Sequence, residues 1–100
     1  MDMASYVTQK EYLEKLINES ELLVVLFYGP SHFCNCTLRR LDDLAVVFAS
    51  VENESIKEVA DYYGVEWYPQ ALVFRKGQLA KRLFAPIMRK EIETAFNSRI

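Results

Sequence analysis

A chain of 100 residues has room for one small domain and no second core, since domains run at roughly 100–200 residues each. With 51% apolar and 26% charged residues, and only 3 Gly and 3 Pro, it can bury enough surface to fold unaided, which excludes a disordered tail. Two cysteines are too few for a stapled mini-protein, and a formal net charge of -2 lacks the basic footprint of a nucleic-acid binder.

The longest apolar run, Leu22 to Tyr28, falls far short of the ~20 residues that cross a bilayer, so no membrane association is expected. The first twelve residues carry Asp2 and no apolar stretch of leader length, which makes a reducing cytoplasm the expected location. In that compartment two closely spaced cysteines serve redox chemistry or metal binding more often than stapling.

Residues 3–7 suit a short edge strand. Thr8 and Glu11 have capping-box spacing, which predicts a helix from Thr8 to about Asn18 with Tyr12, Leu13, Leu16 and Ile17 on one face. Leu22 to Tyr28 reads as a strand buried on both faces, ended by Gly29-Pro30. Leu38, Leu41 and Leu44 then mark a short amphipathic helix over 34–45, and Val46 to Val51 the next strand. Ser55 and Glu58 repeat the capping-box spacing ahead of a helix that Gly64 closes as its left-handed cap. Gln70 to Arg75 and Leu79 to Phe84 pair as a hairpin around Lys76-Gly77. Pro86 opens a last helix carrying Ile87, Met88, Ile92, Ala95 and Phe96 inward. The order β-α-β-α-β-α-β-β-α predicts a single α/β domain over residues 1–100, a mixed central sheet flanked by helices on both faces, with the hairpin supplying antiparallel edges.

This order, with two cysteines after the first central strand and Gly64-Val65-Glu66-Trp67-Tyr68-Pro69 before the hairpin, resembles the thioredoxin family across essentially the whole chain. Tyr63-Gly64-Val65, then Pro69, then Ala71 to Gly77 match the family's Tyr-Gly-Ile/Val, cis-proline and Leu-Phe-Lys-x-Gly series. The resemblance implies a thioredoxin fold and makes Pro69 the cis-proline facing the active site. The first half departs from the pattern. In place of Trp-Cys-Gly-Pro-Cys the segment reads Tyr28-Gly29-Pro30-Ser31-His32-Phe33-Cys34-Asn35-Cys36-Thr37, a Cys-x-Cys motif. Counting without gaps from Phe27 puts His32 at the family's nucleophile position. A two-residue loop insertion, the preferred alignment because Phe33 then replaces the Trp, puts Cys34 there and Thr37 at the resolving position. Leu26 stands where the family buries an acid, and the second helix is expected to be short by about two turns.

A thiolate, not a thiol, attacks disulfides, and a helix N-terminus favours the anion. Cys34 at the head of the 34–45 helix is the expected nucleophile, His32 a nearby titratable group, and Cys36 the resolving thiol. The resemblance implies a thiol-disulfide oxidoreductase or isomerase acting on a protein disulfide or dithiol, with Trp67, Tyr68 and Pro69 walling the groove that holds an extended peptide. No cofactor is implied, since the two thiols carry the electrons. The competing reading is a non-catalytic adaptor on the same fold, binding a protein partner through the groove around Trp67 and Pro69 or through the face left exposed by the shortened helix, with the cysteines kept as small apolar residues. For Trp67 itself the plain alternative is packing under the neighbouring loop. A metal reading rests on His32-x-Cys34-x-Cys36. Structural zinc takes four ligands and no second Cys/His pair exists, so no metal site is assigned.

Overall fold

Every side chain from Leu23 to Phe27 is buried, so the strand they form needs cover on both faces. The computed structural model, which describes residues 3–97, supplies it; Met1 and Asp2, part of the stretch read for a leader, and residues 98–100 lie outside the described residues. The elements follow in the expected order: β1 (Ser5–Val7), α1 (Lys10–Glu19), β2 (Leu22–Tyr28), α2 (His32–Leu41), β3 (Val47–Ser50), α3 (Glu54–Tyr62), β4 (Gln70–Arg75), β5 (Gln78–Phe84) and α4 (Arg89–Asn97). Alternation along β2 then divides the core in two. Leu23, Val25 and Phe27 meet Leu13 and Ile17 of α1 and Ile56, Val59 and Ala60 of α3. Val24 and Leu26 meet Leu38 and Leu41 of α2 and Ile92 of α4 on the opposite face. No helix among the described residues is long and apolar enough to cross a membrane.

The five strands lie in the order β1-β3-β2-β4-β5. β3 is parallel to β1 and β2, and β4 is antiparallel to β2 and β5. The hairpin therefore does not supply two edges as expected. β4, buried from Gln70 to Phe74, lies beside β2, and of the hairpin's two strands β5 alone is an edge. Its turn has Lys76 and Gly77 at φ 51° and 81°, the positive values a two-residue hairpin loop requires. A bulge interrupts the pairing: Phe74 faces Leu79 but Val73 faces Lys81, leaving Ala80 as the extra residue. Leu79 and Leu83, four apart, consequently face opposite sides of the sheet, one in each half of the core.

Away from the cysteines, three helix starts differ from expectation, and each has a visible cause. α1 begins at Lys10 with Gln9 as its uncapped N-cap, so Thr8 lies outside the helix and Glu11 stands at the second helical position, one place short of the third that a capping box uses. The Thr8 carbonyl instead accepts from Asn53 Nδ2 at 2.6 Å. Asn53 also caps α3, its Oδ1 accepting from the N–H groups of Ser55 and Ile56 at 2.9 and 3.4 Å, which displaces Ser55 from that role. α4 begins at Arg89, and Pro86 lies outside it. Glu91 reaches back to accept from the Met88 N–H at 3.0 Å, leaving the Met88 side chain 49% exposed where an inward position was expected. The end of α3 fits its expectation: Gly64 has φ 75°, its N–H donates to Asp61 O, and Val65 N–H donates to Ala60 O at 2.9 Å, the pair of bonds that makes a Schellman stop.

Candidate functional site

Phe27 of β2 pairs with Gln70 of β4, so the chain leaving β2 and the chain entering β4 meet at one end of the sheet. From β2 it passes Gly29, Pro30 and Ser31 into α2, which carries both cysteines. Into β4 it passes Trp67, Tyr68 and Pro69. The fold thus brings the two predicted clusters to the same end, although they are more than 30 residues apart in sequence. The Tyr68–Pro69 peptide bond is cis, as is Ala85–Pro86. Pro69 is buried and Tyr68 half-buried against the α1/α3 side of the core. Trp67 is 73% exposed and does not pack under the neighbouring loop.

The start of α2 decides which way each sulfur points. Ser31 takes the N-cap position, its hydroxyl oxygen accepting from Cys34 N–H at 3.0 Å, so the helix begins at His32 rather than at Cys34. Cys34 is its third residue and only 1% exposed, with its sulfur accepting from the Gly29 N–H at 3.4 Å. Cys36 follows two places later, which on an α-helix is about 200° around the axis. It is half-buried on the other side of the turn, its Sγ 3.5 Å from His32 Nε2. Both thiols are free and face apart. A disulfide needs its Cβ atoms roughly 3.5–4.5 Å apart with converging bonds, so closing one here requires the first turn of α2 to open. For the same reason His32, Cys34 and Cys36 do not converge on a single point.

Thr37, at the resolving position of the preferred alignment, is buried and donates its hydroxyl to Phe33 O at 3.1 Å. Phe33, aligned with the family's Trp, is 46% exposed. Leu26 is fully buried between β2 and α2, and Thr37 and Gln70 are the buried polar side chains among the described residues. No buried carboxylate therefore lies within the described residues to move protons for the thiols. Tyr28 and Tyr68 border this end of the sheet. Burial pushes the Tyr28 phenol above its ordinary value, with Tyr6 adding to the rise, and burial does the same for Tyr68 against the opposing pull of Lys57. Both stay protonated at neutral pH.

The side-chain contact that the spacing pointed to least is His32 with Cys36. The signal was present, because residues four apart share a helix face, but it becomes readable only once the helix is known to start at His32.

A model of the thioredoxin family matches residues 3–98. Thioredoxin NaTrxh from Nicotiana alata superposes with a TM-score of 0.82 at 17% identity, covering 99% of this chain and 95% of that one. A mutant thioredoxin from Halobacterium salinarum gives 0.77 at 18% identity, over 99% and 95%. Mitochondrial thioredoxin 3 from Saccharomyces cerevisiae, in its oxidized form, gives 0.76 at 17% identity, over 95% of each chain. These likenesses show the fold. No curated protein matches the sequence.

Proposed function

The chain belongs to the thioredoxin family, and on that premise we propose that it exchanges thiols and disulfides with protein substrates through Cys34 and Cys36, in the order opposite to the one expected from sequence. The observation that carries this reading is the 3.5 Å approach of Cys36 Sγ to His32 Nε2 on the accessible side of α2's first turn, while Cys34 is sealed beneath Gly29. Cys36 meets the substrate. In the tautomer that leaves Nε2 unprotonated, His32 takes the Cys36 proton, and the thiolate attacks one sulfur of a substrate disulfide. The substrate S–S bond breaks, its departing sulfur is protonated, and a mixed disulfide with Cys36 forms. Opening of the first helical turn then frees Cys34, which loses its proton, attacks Cys36 Sγ and releases the second substrate thiol. Two electrons pass from the Cys34/Cys36 pair to the substrate; the reverse course oxidises a dithiol. Trp67, Tyr68 and Pro69 form the wall along which an extended polypeptide lies, and a reducing cytoplasm is the compartment in which both thiols persist. No organic cofactor takes part.

The divergence of the two sulfurs favours a second reading, a redox-silent adaptor that recognises a protein partner through exposed Trp67 and Phe33. Equilibration in graded glutathione buffers, followed by trapping of free thiols and counting by mass, separates the two. Exchange predicts a two-electron transition to an internal Cys34–Cys36 disulfide at a potential above roughly -270 mV, because a ring spanning one intervening residue is strained and easily reduced. An adaptor predicts no internal disulfide at any poise.

A further inference from the structure

The bulge at Ala80 has a consequence far from the thiols. Simple alternation from Leu79 would turn Lys81 toward the α1/α3 side of the sheet. The extra residue turns it toward α4 instead, in register with Val73. There it borders a groove of about 630 Å³ between the free edge of the sheet and α4, within the ~300–1,000 Å³ range of small-molecule sites. Val73, Ala80, Met88 and Ala95 supply apolar lining, and the half-exposed Met88 side chain is part of it. Three cations ring that lining: Arg75 from β4, Lys81 from β5 and Lys90 from α4.

The charges on the rim are unbalanced. Arg75 is held in place, its Nη2 donating to Ala95 O at 3.4 Å. Lys81 and Lys90 are exposed and make no ion pair among the described residues. Among the described residues the carboxylate on the rim is Glu91, which spends an oxygen on the Met88 N–H. On a chain whose net charge is -2, a groove whose two exposed lysines face one engaged acid is a local excess of positive charge.

We propose that this groove binds a small organic anion, an apolar ring or short chain ending in a carboxylate, sulfonate or phosphate. The apolar body lies along Val73, Met88 and Ala95, and the anionic end meets Lys81 and Lys90. The site is separate from the cysteines: Gln70 is the end of β4 nearest them and Arg75 the end nearest the groove. It stands whether or not the thiols exchange disulfides.

Anilinonaphthalene sulfonate, which joins an aromatic body to one anionic group, is the probe, read by its fluorescence and by the backbone amide shifts of the full chain. One probe per chain is expected, with the largest shifts in β5 and the first two turns of α4. Lys81→Glu with Lys90→Glu changes two exposed side chains and should weaken binding at least about tenfold, while the uncharged parent amine binds equally weakly to both proteins. Binding that survives charge reversal, shifts centred on Trp67 instead of β5, or no saturable binding at all would each overturn the proposal.

Discussion

The two chain segments that meet at the thiol end of the sheet are built on different principles. The turn from α3 into β4 is held by backbone: Gly64 in the left-handed region, Val65 N–H on Ala60 O, and Pro69 buried at the entry to β4. The turn from β2 into α2 is held by side chains: the Ser31 hydroxyl on Cys34 N–H, and the Cys34 sulfur under Gly29 N–H. Backbone constraints restrict residue type narrowly, since only glycine adopts φ 75° without strain, and this turn keeps the family's sequence. Side-chain caps admit several residue types and more than one register. The second turn is where the sequence departs from the family.

The comparison can be broken first at its rigid side. Gly64→Val puts a β-branched side chain at φ 75° and should cost about 2 kcal/mol, seen as a lower urea midpoint, with the rate of Cys36 alkylation in the folded protein unchanged. At the other turn, Ser31→Ala removes the cap and should cost about 1 kcal/mol. Its sharper signature is chemical: Cys34 becomes alkylated faster, because the turn that buries it is less firmly closed. A loss of stability with no gain in Cys34 labelling would mean that the core, rather than the cap, holds that thiol inside. Asn53→Ala should cost a similar ~1 kcal/mol, since Asn53 caps α3 and also donates to Thr8 O. Hydrogen exchange should then quicken at the starts of both α1 and α3.

The smallest effect lies at the far end of α2. Arg89 hydrogen-bonds the Arg40 carbonyl at 3.2 Å and pairs with Asp43, joining α4 to the last turn of α2. The hydrogen bond from Arg89 holds the Asp43 carboxyl below its ordinary range. A carboxyl lowered in the folded state contributes stability above its unfolded pKa and loses it as the pH falls through the folded one. The pair is solvent-exposed, so Asp43→Asn should lower the melting temperature only slightly at neutral pH, and the gap from the unaltered protein should close in acid.

The same contrast explains what the sequence disclosed. The order of elements along the chain was legible because apolar runs such as Leu22–Tyr28 and Gln70–Arg75 admit one reading, and Gly64 marked its helix end by a steric rule. Capping boxes were not decisive. Thr8-x-x-Glu11 and Ser55-x-x-Glu58 both have the spacing, yet Gln9 and Asn53 hold the cap positions, since the spacing recurs wherever Ser, Thr and Glu are common. The bulge at Ala80 left no mark, because Leu79 and Leu83 suit either face. At the thiols a shift of two residues in the helix start rotates every side chain by about 200°, exchanging inside for outside. Ser31 settled that choice, which spacing alone did not reveal.

The central claim, that Cys36 meets the substrate and Cys34 resolves, is tested most directly by trapping with a disulfide-bonded peptide. Cys34→Ser should accumulate a stable mixed disulfide through Cys36, found by mass and released by reductant, while Cys36→Ser traps none. A trap that forms through Cys34 in the Cys36→Ser protein, or in neither variant, would contradict the account.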